Sequence, residues 1–125
     1  MSPTLLIGDQ ILVDKTYSGK DTRRGDVIVF IYPADPRKDF VKRIIGLPGD
    51  KVELRERLLY INNELIKEDY IAKPKRSSTT TNYGPITVPE ETLFVLGDNR
   101  ENSLDSRHFG SVTFDKVRGR VTRID

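Results

Sequence analysis

The chain has 125 residues, 36% hydrophobic and 32% charged, with a net charge of +2, enough for one compact domain and too little for two ordinary ones. Its 21 basic and 19 acidic residues are interspersed, which gives no basic stripe for nucleic acid, and no apolar run approaches the roughly 20 residues of a membrane-spanning helix. With no cysteine and one histidine, thiol nucleophiles, disulfides, thiolate metal sites and a histidine-based metal cluster are excluded; no metal or cofactor is expected.

In chain order, the opening Met1, Ser2, Pro3, Thr4 and Leu5 reads, taken alone, as a plain terminus. Apolar runs rich in β-branched and aromatic residues follow at 11–13, 27–32, 40–45, 58–61 and 93–96, with Gly, Pro, Asn or Asp between most of them. These are strand signals. Prolines at 3, 33, 36, 48, 74, 85 and 89 interrupt most candidate helices, so the expected fold is mainly β. Residues 52–66 alternate Val52 and Leu54 with polar neighbours, then Leu59 and Ile61, and turn at Asn62 and Asn63. That pattern predicts a hairpin or small meander. Residues 67–84 are polar, with Thr79, Thr80 and Thr81 in succession, and predict a surface loop. There is no internal repeat. One domain over 1–125 is expected, with its core in about 1–51 and 85–125 and a small inserted excursion at about 52–84.

Three clusters are candidates for chemistry: the opening segment Met1 to Leu5, the strand from Phe40 to Asp50 and the run from Gly97 to Arg107. In a strand over 40–45, Phe40, Lys42 and Ile44 share one face while Val41, Arg43 and Ile45 share the other. A lysine between apolar neighbours ordinarily runs its stem along the surface and keeps its ammonium wet. The sharper reading is that burial lowers its pKa and leaves an amine able to take a proton from a serine hydroxyl. Gly46, Pro48 and Gly49 end that strand under either reading. The third cluster runs Gly97, Asp98, Asn99, Arg100, Glu101, Asn102, Ser103, Leu104, Asp105, Ser106, Arg107. Alone it reads as a polar turn with solvent-exposed ion pairs. His108, beside it, reads as a partly exposed loop residue.

Together these clusters, in this order, resemble the type I signal peptidase family from residue 1 to about Val121. Met1, Ser2, Pro3 and Thr4, continued by Gly8 and Asp9, are similar to the segment that follows the family's nucleophilic serine. Phe40, Val41, Lys42, Arg43, Ile44, Ile45, Gly46, Leu47, Pro48, Gly49 and Asp50 fit its lysine box. Gly97 to Arg107 fits its C-terminal box, with Glu101 where aspartate is more usual, and Gly25, Asp26, Val27, Tyr32 and Pro33 give a weaker middle match.

The resemblance implies a mainly β, antiparallel, partly barrel-like catalytic domain with a small β insertion. It implies a serine endopeptidase that removes signal peptides from secretory precursors, cutting after a small residue in an Ala-x-Ala-like pattern. Lys42 would be the general base and Ser103 the hydroxyl that positions it. Arg43, Asp98, Asp105 and Arg107 would form supporting ion pairs, the arginines satisfying the acids so that no carboxylate raises the Lys42 pKa. Asp39, Phe40 and Val41 would pair with the peptide as an added strand, and Met1, Leu5 and Val29 would line its pockets. The family's nucleophile directly precedes Met1, so residues 1–125 alone are expected to be inactive, Ser2 being one position out of place. The resemblance also implies a membrane anchor upstream, in the inner or cytoplasmic membrane, with this domain on the extracytoplasmic side. Other readings are a non-catalytic peptide-binding β-domain or a specialised relative: a plasmid-transfer pilin-processing protease, an organelle inner-membrane peptidase or a self-cleaving repressor-type protease.

Overall fold

The computed structural model describes residues 11–17, 21–56, 58–68, 82–100 and 103–124. In chain order its elements are β1 (Ile11–Asp14), β2 (Val27–Ile31), β3 (Asp39–Gly46), β4 (Lys51–Arg55), β5 (Leu58–Ile61), β6 (Glu64–Leu65), β7 (Tyr83–Thr87), β8 (Thr92–Leu96), the one-turn helix α1 (Ser106–Phe109), β9 (Val112–Thr113), a 3₁₀ turn (Phe114–Lys116) and β10 (Val117–Ile124). All pairings are antiparallel. One sheet of six strands runs β1-β10-β2-β3-β8-β9, and one of four runs β6-β5-β4-β7. The predicted mainly β architecture is therefore present, as two open sheets without closure into a barrel among the described residues.

The period-two pattern decides where the core lies. Along β8, Leu93 and Val95 join Ile28, Phe30, Ile44, Tyr17 and Val112 in one cluster. Phe94 and Leu96 join Ile45, Val52, Leu54, Leu59, Ile61 and Val88 in a second. Strand β8 is thus buried on both faces, which explains a continuous apolar run in place of alternation. Strand β3 is divided in the same way, sending Ile44 to the first cluster and Ile45 to the second. The small sheet covers the second cluster. Its β5–β6 turn places Asn62 and Asn63 at φ 52° and 69°, the left-handed pair that a two-residue type I′ hairpin requires.

One expectation needs correction, and one strand lies outside the predicted runs. Residues 67–84 are not all surface loop: Tyr83 and Gly84 open β7, which pairs with β4, and the Glu68 side chain is 4% exposed. Strand β10, which joins β1 to β2, was not foreseen because Arg118, Arg120 and Gly119 interrupt its apolar positions. Gly119 has a packing reason, since a Cβ there would lie 2.6 Å from the carbonyl oxygen of Asp14.

Candidate functional site

Lys42 reaches the site because β3 outruns its neighbour. On one side the strand pairs with β2, Ile28 facing Lys42 and Phe30 facing Phe40. On the other, its pairing with β8 begins only at Arg43 opposite Leu96. Residues 39–42 therefore have one edge unpaired among the described strands. Lys42 shares the face of Phe40 and Ile44, its Nζ 5.8 Å from the centroid of the Phe40 ring. Phe40 stacks on Tyr32 at 4.2 Å, so the lysine stem sits beside an aromatic wall and the fully buried Ile28.

The amine donates to Ser103 Oγ at 3.1 Å. It makes no ion pair with a described carboxylate, although two acids lie nearby, because arginines engage both. Arg43 forks onto Asp98 with two 2.9 Å bonds and donates to the Gly25 carbonyl at 2.8 Å. Arg107 forks onto Asp105 at 2.9 and 2.8 Å. Asp98 and Asp105 are fully buried, where an unpaired carboxylate would be strongly unfavourable. Burial is the main influence on Lys42 and holds its amine below the ordinary lysine value; Arg107 adds to that and Asp105 and Asp98 oppose it. Burial alone would raise the Asp105 carboxyl, but its bonds from Arg107 and the Gly97 amide outweigh this and keep it low.

Side chains complete the edge of β8 where β9 stops. Strand β9 pairs only with Thr92 and Leu93. Beyond it, the Val95 amide donates to Ser106 Oγ at 2.9 Å and the Gly97 amide to Asp105 Oδ2 at 3.1 Å. Asp105 is also the N-cap of α1, its carboxylate accepting the Arg107 amide, with His108 Nδ1 closing the reciprocal bond. His108 thus belongs to this helical turn and not to a loop. Gly97 itself is a contact surface: a Cβ there would stand 2.0 Å from Ser103 Oγ and 3.4 Å from Lys42 Nζ. Gly97, Arg100, Ser106 and Glu68 had no assigned role in the sequence reading. Only Ser106, following an N-cap aspartate, carried a local signal.

Of the expected substrate residues, Met1 and Leu5 lie outside the described residues. Val29 faces Val41, and Ile31 faces Asp39, across β2 and β3, which puts Val29 on the sheet face opposite Lys42. Val29 and Asp39 line a groove of about 420 Å³ with Val13, Ile31 and Val117. Among the described residues no group of three or more metal-ligating side chains converges, and no helix is long and apolar enough to cross a membrane.

An antiparallel β domain that carries a half-buried lysine beside a serine matches the family model described as signal peptidase, peptidase S26, over residues 1–124. The chain belongs to that family. It is 42% identical to a probable signal peptidase I-2 of Synechocystis sp., over 97% of this chain and 56% of that protein. It is 39% identical to a signal peptidase I of Bacillus caldolyticus, over 97% of this chain and 71% of that one. The crystal structure of a signal peptidase I from Enterococcus faecalis V583 superposes with a TM-score of 0.69 at 38% identity, covering 81% of this chain and 97% of that one. The chain spans little more than half the length of the Synechocystis protein.

Proposed function

We propose that this chain is the peptide-cleaving domain of a signal peptidase that removes signal peptides from secretory precursors by a serine/lysine mechanism. The observation that carries this reading is the Lys42 amine, half-buried, without a carboxylate partner among the described residues and 3.1 Å from Ser103 Oγ. A neutral amine so placed takes the proton of a serine hydroxyl, for which the family's position is the residue directly before Met1. That oxygen attacks the scissile carbonyl, and the resulting alkylammonium returns its proton to the departing amine of the mature protein. The acyl-enzyme is then hydrolysed by a water that Lys42 deprotonates. Ser103 fixes the amine, while Arg43–Asp98 and Arg107–Asp105 neutralise the acids around it.

The edge at 39–42, unpaired among the described strands, offers backbone groups to an extended precursor segment, so Asp39, Phe40 and Val41 bind it as an added strand. Val29 contributes to the mixed apolar and charged groove on the other face, which Lys15, Asp39, Asp115 and Arg118 also line. Small residues before the cut, in an Ala-x-Ala-like pattern, are the substrate preference proposed here, and family membership supports it. The domain is read as lying on the extracytoplasmic side of the inner or cytoplasmic membrane.

The test is mass-spectrometric detection of product from an Ala-x-Ala precursor peptide. A chain carrying a serine directly before Met1 should cleave it, Lys42→Met in that chain should abolish cleavage, and residues 1–125 alone should bind without turnover. Undiminished cleavage by the Lys42→Met variant contradicts the mechanism. Turnover by residues 1–125 alone would assign the nucleophile elsewhere, Ser2→Ala being the deciding variant.

A further inference from the structure

The turn that carries Ser103 is held from a direction the dyad chemistry does not require. Glu68 follows β6, between the small sheet and the second half of the chain, and its carboxylate receives both terminal nitrogens of Arg100, Nη1 at 3.1 Å and Nη2 at 2.5 Å. The two side chains are 4% and 11% exposed. Arg100 spends its remaining face on the active-site backbone, Nε donating to the Gly97 carbonyl at 2.8 Å. Its own carbonyl accepts Arg107 Nη2 at 2.8 Å, and Arg107 is forked onto Asp105, the acceptor of the Gly97 amide. The glycine is therefore gripped at its carbonyl by Arg100 and at its amide by Asp105. Ser103 and Lys42 rest on that glycine, with no room for a methyl group.

We propose that Glu68 is a positioning residue for the Lys42/Ser103 pair, acting through Arg100 and the Gly97 carbonyl. It ties the small-sheet segment to the catalytic turn, so that the placement of the base depends on a residue far from it in sequence. A surface ion pair would be too weak and too loosely held for this, whereas a buried charge pair with two-pronged geometry fixes both partners. Without the carboxylate, Arg100 is left as a buried charge that must turn toward water. The Gly97 peptide then loses its clamp, Ser103 shifts, and water reaches the Lys42 amine.

The proposal rests on the reading of Lys42 as the general base, and the experiment separates the two. The Lys42 amine is titrated in residues 1–125 by competitive acetic anhydride labelling across pH, read by peptide mass spectrometry. Wild type is compared with Glu68→Gln, with Arg100→Lys, which keeps a charge but loses the fork, and with the control Glu53→Gln, which breaks the partly exposed Glu53–Arg55 pair within β4. Expected is a reactivity at pH 8 lower by about threefold or more in Glu68→Gln and Arg100→Lys, a rise of about half a pKa unit or more, with no change in Glu53→Gln. A wild-type Lys42 that titrates as an ordinary lysine overturns the general-base reading and this proposal with it. A depressed wild-type titration that both folded variants share overturns the Glu68 assignment alone. Loss of folding in both variants also overturns it, since the pair would then be a stability element.

Discussion

Gly97→Ala places a methyl carbon 2.0 Å from Ser103 Oγ and 2.7 Å from Ser103 Cβ. Ordinary contact begins at about 3.5 Å, so Ser103 must retreat by well over an ångström or rotate away. Either movement removes the 3.1 Å bond to Lys42. The cost to the fold should be the about 1–3 kcal/mol of an overpacked interior site. The cost to catalysis should be larger, because misplacing a reacting group by about 1 Å lowers turnover on the order of 100-fold. Initial rates on a fluorescent Ala-x-Ala peptide, with a serine supplied directly before Met1, should therefore show kcat reduced by about two orders of magnitude, with KM nearly unchanged because the peptide edge at 39–42 is untouched. The reasoning is refuted if the variant keeps kcat within about threefold of wild type, since Ser103 could then move without consequence for the base.

Other expectations follow from the buried charges. In Lys42→Met the gain in stability over wild type should be greatest at neutral pH and shrink as pH rises toward the ordinary lysine value of 10.5. The unfolded chain binds the extra proton in that window, so wild-type stability climbs with pH there; urea unfolding at pH 7 and pH 10 measures it. Asp105→Asn leaves the Arg107 guanidinium, only 8% exposed, without its carboxylate and should cost about 3–5 kcal/mol in the same assay. The wild-type contribution of Asp105 is complete above its ordinary value of 3.8 and lost as pH falls through its lower folded value. Ser106→Ala removes the acceptor of the Val95 amide and should cost about 1–3 kcal/mol as that buried donor goes unpaired, with kcat falling more than KM rises.

What could be read in the sequence was what local pattern records. The strands at 27–31, 39–46, 58–61 and 92–96 were visible as β-branched runs, and Asn62–Asn63 as a hairpin turn, because period and turn chemistry are properties of neighbouring residues. Lys42 and Ser103 are 61 residues apart, and their meeting could be expected only from family resemblance. Strand β10 escaped because Gly119 is its buried position while Val117 and Val121 are only half-buried and Arg118 is exposed, so burial there does not follow hydrophobicity. Glu68 escaped for a related reason: a charged residue in a polar stretch reads as solvated until its partner, Arg100, is known. Gly97 looked like a turn glycine, whereas its lack of a side chain is what lets Ser103 and Lys42 approach each other.

The most direct test of the central claim compares two titrations on one protein. Lys42 is followed by NMR of its amine, and kcat/KM for precursor cleavage is measured over the same pH range in the chain with a serine before Met1. Lys42 should titrate below 10.5, and the acid limb of kcat/KM should rise with the same midpoint, because that profile reports the essential base of the free enzyme. Full activity at a pH where Lys42 is still protonated would contradict its role as the general base.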